Sequence, residues 1–283
     1  MADTHDSALV SVDWLAERLR APDLVVIDAT WHLPTTERLA SEEYLAGHIP
    51  GAVFFDIDGI SDPSTDLPHM LPSPEAFSSR MRKLGIGDGQ TIVVYDSYGL
   101  FSAARVWWTF RVMGVGRVHV LDGGLPAWVA AGHPLEEGPV RRPERHFTAR
   151  KNNAAVKDFA AVQAALQARS AQVVDARSAE RFRGEAPEPR PGLKSGHMPG
   201  AVNVPFGAVL DGGRLKSPEG IKAVFKARGV DLSRPVITSC GSGVTAAVLA
   251  LALEEAGARS VTLYDGSWSE WGARDDAPVV TGD

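Results

Sequence analysis

The 283 residues suffice for two domains, and an apolar content of 44 % supplies two cores. With 35 acidic against 29 basic residues the net charge is −6, so neither a nucleic acid nor an anionic membrane is expected as a partner. One cysteine permits no internal disulfide and fits a reducing cytoplasm, and the amino-terminal MADTHDSALVS lacks the basic and apolar regions of a signal peptide.

In chain order, Ser11 caps a helical pattern (VDWLAERLR) that Pro22 ends, and Leu24 to Ala29 (LVVIDA) reads as a buried strand. Gly47 to Val53 (GHIPGAV) follows. Pro74 to Leu84 is an amphipathic helix, Thr91 to Tyr95 an apolar strand leading into a helix with Trp107 and Trp108, and Val118 to Gly123 another strand. Pro134 to His146 (PLEEGPVRRPERH) is rich in proline and charge and reads as a connecting segment. The order then repeats. Lys157 to Ala168 is a helix, Gln172 to Ala176 a strand, and Gly196 to Val202 (GHMPGAV) a second copy of the G-H-x-P-G-A-V motif. Pro218 to Arg228, Pro235 to Ser239, Val244 to Ala256 and Val261 to Gly266 continue the alternation. Strands joined by helices predict an α/β fold of two tandem domains, 1–138 and 153–283, linked by 139–152. Each is expected to be a mainly parallel sheet with helices on both faces.

The repeat is broken where it matters chemically. Cys240 stands between an apolar strand and a helix, followed by Gly241, Ser242, Gly243, Val244 and Thr245. Two glycines let the backbone curl so that loop N–H groups converge on whatever sits in the middle. At the positive end of a helix such a position favours a thiolate, the form a nucleophilic cysteine needs. Most lone cysteines are inert core, but a packed core cysteine has no use for Gly-Ser-Gly beside it. In the first half Asp96 takes the place of Cys240, with Ser97 to Phe101 behind it. That domain has no nucleophile, and its aromatic loop is not expected to wrap tightly around an anion. Asp28 and Asp175, at strand ends, read as turn partners. No nucleotide loop follows a strand and no metal-ligand spacing is present, so neither a cofactor nor a metal is expected.

The duplicated G-H-x-P-G-A segment together with C-G-S-G-V-T resembles the tandem-domain sulfurtransferases of the rhodanese superfamily. The likeness extends over Trp31, Asp62 to Pro72, Phe101 to Trp108, Arg181 to Arg190 (RFRGEAPEPR) and Asp265 to Gly272. It implies two rhodanese-like domains and an activity that moves sulfur from 3-mercaptopyruvate through a Cys240 persulfide, releasing pyruvate, to cyanide, a small thiol or a dithiol protein such as thioredoxin. The related thiosulfate enzymes carry a basic C-R-K-G loop; this loop has no charge, which disfavours thiosulfate as donor. A non-catalytic persulfide relay is the third reading. The resemblance assigns donor binding to Arg181 and Arg190. The loop residues Gly241, Gly243, Val244 and Thr245 are expected to form the amide cradle, and Ser242 to relay a proton. The resemblance offers His48 as the partner of Ser242, backed by an acid among Glu37, Glu42 and Glu43, whereas a histidine before Ile-Pro-Gly, repeated at His197, equally fits a turn held by hydrogen bonds to backbone.

Overall fold

The computed structural model describes residues 7–283 as two compact units. The first extends to Ile57 and includes Pro74–Arg150 and Gly212–Arg214; the second comprises Asp58–Ser73, Lys151–Asp211 and Leu215–Asp283. The first therefore lacks a piece that a cut at residue 138 would give it.

In the first unit β1 (Leu9–Val10), β2 (Leu24–Asp28), β3 (Val53–Phe54), β4 (Thr91–Tyr95) and β5 (Val118–Leu121) form one sheet. Its order is β1-β5-β4-β2-β3, every neighbouring pair parallel. β2 is buried along its whole length, as a strand covered on both faces must be. The helices up to residue 150 are α1 (Val12–Arg18), α2 (Ala40–Ala46), α3 (Ile57–Ile60), α4 (Pro74–Lys83), α5 (Ala103–Val112) and α6 (Gly124–Ala130). Ser11 caps α1 by accepting from the Trp14 N–H. Trp107 and Trp108 are buried on α5, consistent with a packing role.

The segment expected as a linker is part of this unit as far as Arg150. Phe147 is buried against Phe77 and Phe110, with ring centroids 5.7 and 6.4 Å away, and the Arg150 N–H donates to the Met113 carbonyl at 2.8 Å. Proline and charge mark its exposed residues; its one large aromatic ties it down.

The second unit repeats the plan. β6 (Val156–Lys157), β7 (Gln172–Asp175), β8 (Val202–Asn203), β11 (Val236–Ser239) and β12 (Val261–Tyr264) form a parallel sheet in the order β6-β12-β11-β7-β8; between β8 and β11 in the chain, β9 (Leu210–Asp211) and β10 (Arg214–Leu215) pair separately. Matched strand for strand, the two five-stranded orders are the same. The helices are α7 (Phe159–Ala168), α8 (Ala179–Arg183), α9 (Pro218–Ala227), α10 (Val244–Glu255) and α11 (Ser267–Trp271). α7 starts two residues later than its sequence pattern because Asp158 accepts from the Ala161 N–H and caps it, while Lys157 joins β6. α10 is buried from Ala246 to Leu253 without interruption, so it is a core helix.

β7 and β11 lie side by side at the middle of the second sheet, and the chain leaves them in opposite directions, toward β8 and toward β12. The crevice at the carboxyl ends of such a strand pair is where open parallel sheets bind ligands. The loops that emerge there carry Arg177 and Arg181 from β7 and Cys240 from β11.

Candidate active site

Cys240 directly follows β11, and Gly243, at φ 82° and ψ −5°, caps α10. That left-handed conformation is easy only for glycine, and it turns the Gly243 N–H back onto the Cys240 Sγ at 3.1 Å. The loop carbonyls are pulled the other way. The Trp268 N–H donates to the Cys240 carbonyl at 2.9 Å, while both the N–H and the hydroxyl of Ser269 donate to the Gly241 carbonyl at 2.8 and 2.7 Å. The Cys240 N–H is held by Ser267 Oγ at 3.3 Å, itself donating to Tyr264. The start of α11 thus fixes the loop from behind.

Cys240 is only 2 % exposed, so the sulfur is covered although the loop around it is not that of a packed core cysteine. Its surroundings are polar nonetheless. Besides the Gly243 amide, it lies within electrostatic reach of Arg190, whose guanidinium is pulled below the ordinary arginine range by burial, with the Cys240 and Asp58 charges opposing that shift. Arg181 is carried on α8, which Ser178 caps. Its Nη2 lies 3.1 Å from where a Cβ on Gly241 would stand, so the guanidinium rests against the cysteine loop. Val244 is buried and Thr245 half-buried in the first turn of α10.

Ser242 is buried, and its Oγ lies 2.9 Å from Nδ1 of His69. Nε2 of His69 lies 3.1 Å from Oδ1 of Asp58. An ionised carboxylate only accepts hydrogen bonds, so it selects the tautomer with the proton on Nε2 and leaves Nδ1 as an acceptor for the Ser242 hydroxyl. The result is a hydroxyl–imidazole–carboxylate chain that starts two residues after Cys240 in the same loop, built wholly within the second unit. The Leu71 N–H donates to Asp265 Oδ2 at 2.9 Å and the Asp62 N–H to the Met70 carbonyl at 2.9 Å, which fix the loop that carries His69.

His48 does not occupy that position. Its ring stacks on Tyr44 in the first unit, centroids 4.2 Å apart, with Nδ1 2.8 Å from the Tyr44 carbonyl. His197 repeats the arrangement on Phe182, at 3.7 and 2.9 Å. One motif with one duty in both repeats is turn architecture. The acids proposed beside His48 are engaged elsewhere in the case of Glu43, which accepts from Arg38 at 2.6 Å and meets His32 at 3.0 Å. Those partners hold its carboxyl below the usual range, Arg38 foremost.

The first unit's counterpart loop does wrap an anion, contrary to expectation, and the anion is its own. The Asp96 carboxylate accepts from the N–H groups of Tyr98, Phe101 and Ala103 at 2.9, 2.7 and 2.8 Å. Burial still raises its carboxyl above the ordinary value, with those amides opposing. Asp28 and Asp175 accept from backbone N–H groups two residues on, at 2.9 Å each, as turn partners do.

The family model described as Rhodanese-like domain matches residues 11–131 and again 158–274. The chain belongs to the rhodanese family. A rhodanese-family relative, 3-mercaptopyruvate sulfurtransferase of Escherichia coli K12, is 50 % identical over 271 residues, covering 95 % of this chain and 96 % of its own. Thiosulfate sulfurtransferase of the rat is 45 % identical over 282 residues, covering 97 % and 94 %. The crystal structure of SseA from Escherichia coli superposes with a TM-score of 0.87 at 47 % identity, covering 93 % of this chain and 99 % of SseA. Among the described residues no helix is long and apolar enough to cross a membrane.

Proposed function

We propose that the chain is a sulfurtransferase whose Cys240 accepts the sulfur of 3-mercaptopyruvate as a persulfide. The thiolate attacks the donor sulfur, the carbon–sulfur bond breaks, and its electron pair passes to the carbon as the enolate of pyruvate. The proton of the donor thiol moves through Ser242 to His69 and returns to that carbon, so the step is neutral in protons and charge. Arg181 and Arg190 hold the donor's carboxylate and keto oxygens, and the amide cradle holds the outer persulfide sulfur. A second nucleophile, cyanide, a small thiol or a protein dithiol such as thioredoxin, then removes the sulfur. With a single cysteine no internal disulfide competes, which suits a reducing cytoplasm.

The observation that carries this reading is the convergence, within one unit, of a covered cysteine under an amide, two arginines and a hydroxyl–imidazole–carboxylate chain. Similarity to the Escherichia coli relative supports the donor. The rat relative keeps thiosulfate as a second donor to be tested, against which the uncharged Gly241-Ser242-Gly243 segment argues. Intact mass after incubation with each donor decides. A gain of one sulfur from 3-mercaptopyruvate with stoichiometric pyruvate, absent in Cys240→Ala, is expected. Sulfur gain from thiosulfate alone would overturn the donor assignment, and gain only from a protein persulfide without pyruvate would make the chain a relay.

A further inference from the structure

One carboxylate stands among the arginines of the second unit without a part in the chemistry above. Glu188 lies on the irregular loop after α8, yet its side chain is only 2 % exposed. Arg177 Nη1 donates to its Oε1 at 2.7 Å, Arg181 Nε to the same oxygen at 3.3 Å, and Arg181 Nη2 to Oε2. Glu188 therefore covers the Nε–Nη2 edge of Arg181 and leaves the edge that carries Nη1 for another acceptor. Arg177 is the fixed end of this chain. Its side chain is fully buried, paired with Asp175 at 2.7 Å, bonded to the Gly196 carbonyl at 2.8 Å and laid over the Trp268 ring at 4.1 Å. Arg181 is the free end, its side chain 24 % exposed and its guanidinium against Gly241.

We propose that Glu188 is a positioning residue that clamps Arg181 to the cysteine loop, with the open edge of the guanidinium turned to the carboxylate of the sulfur donor. The proposal rests on the sulfur-transfer reading, since it is the donor carboxylate that Arg181 meets. An unclamped arginine has many rotamers, and binding a donor then has to order it; a clamped one is ordered in advance. Glu188 also carries one negative charge into a site with three arginines, and Arg177 consumes only part of it because Asp175 shares that residue. The carboxylate acts chiefly by holding Arg181, and its charge also reaches Arg190.

The test is a double-mutant cycle on the full chain with 3-mercaptopyruvate as donor. In the wild-type background Glu188→Gln is expected to raise KM about tenfold, the size set by ordering one long side chain at binding, with kcat within about twofold. In an Arg181→Met background the same change is expected to raise KM less than about twofold, because the residue it holds in place is gone and only its weaker effect on Arg190 is left. Glu188→Asp keeps the charge but falls one methylene short, and its KM is expected between wild type and Glu188→Gln. Should Glu188→Gln fail to fold, Glu188→Asp runs the same cycle. Equal KM increases in both backgrounds, or a fall in kcat at unchanged KM, would overturn the proposal while leaving sulfur transfer intact. Wild-type protein that releases no pyruvate would instead overturn the sulfur-transfer reading and this proposal together.

Discussion

His69→Asn probes the proton chain with little disturbance of the fold. His69 has φ 62°, a left-handed backbone that asparagine tolerates better than other residues with a side chain, glycine apart. The amide can still approach Ser242 Oγ, where Nδ1 now lies at 2.9 Å, but it cannot take a proton. General acid–base transfer contributes about 10²–10⁴ in rate, so single-turnover pyruvate release is expected to slow by that factor, or about 2.7–5.4 kcal/mol of barrier. Asp58 should matter much less. Its oxygen is 3.1 Å from Nε2, yet its side chain is 63 % exposed, and the water-accessible ion pair that forms once His69 takes the proton contributes about 0.2–1 kcal/mol. Asp58→Asn is accordingly expected to cost no more than about fivefold. Rapid-quench measurement of pyruvate, with thermal unfolding as a control for folding, gives both numbers. A His69→Asn enzyme within about threefold of wild type, or an Asp58→Asn enzyme as slow as it, would refute the chain as drawn.

Three further outcomes follow from the same geometry. Gly241→Ala places a Cβ 3.1 Å from Arg181 Nη2, so steady-state kinetics should show KM for 3-mercaptopyruvate rising about threefold with stability unchanged; an unaltered KM would mean that Arg181 does not bear on donor binding. Arg177→Met strands the buried Asp175 carboxylate and leaves Glu188 to Arg181, and urea unfolding should register a loss of about 3–5 kcal/mol, whereas a loss under about 1 kcal/mol would argue that Asp175 finds another partner. Burial raises the Asp28 carboxyl above its ordinary 3.8, opposed by Thr30 and reinforced by Asp96. A carboxyl raised in the folded state stabilises the fold below its unfolded pKa, and that contribution is lost as pH climbs through the folded value. Wild type should therefore lose stability relative to Asp28→Asn as pH rises above the ordinary 3.8, and a difference that stays flat would contradict the assignment.

Much of the architecture was legible because it is written in period and repetition. The apolar strands Leu24–Asp28, Thr91–Tyr95 and Val236–Ser239 announce themselves, and two copies of G-H-x-P-G-A-V reveal the duplication. The cysteine loop is equally plain, since glycine on both sides of Ser242 has a local conformational meaning. His69 was not legible as a site residue. It lies in DPSTDLPHMLP, a stretch with no helical or strand period and no counterpart in the second repeat, and its contact with Ser242 spans 173 positions of chain. The available clue was an aperiodic loop with an unrepeated histidine, because loops on a rigid scaffold are where function collects. The duplicated His48 and His197 pointed the opposite way. Glu188 was hidden for another reason: a glutamate among prolines reads as solvated, and only the arrival of Arg177 from the end of β7 buries it.

The assignment of Asp58–Ser73 to the second unit has a consequence for how such a chain can be inherited. A gene fragment encoding only the carboxyl-terminal repeat would carry Cys240 and Ser242 without His69, which the chain supplies from before residue 74. Under the proposed chemistry such a fragment would have no proton acceptor of its own, so the repeat seen in the sequence and the unit that holds the site are not the same piece of chain.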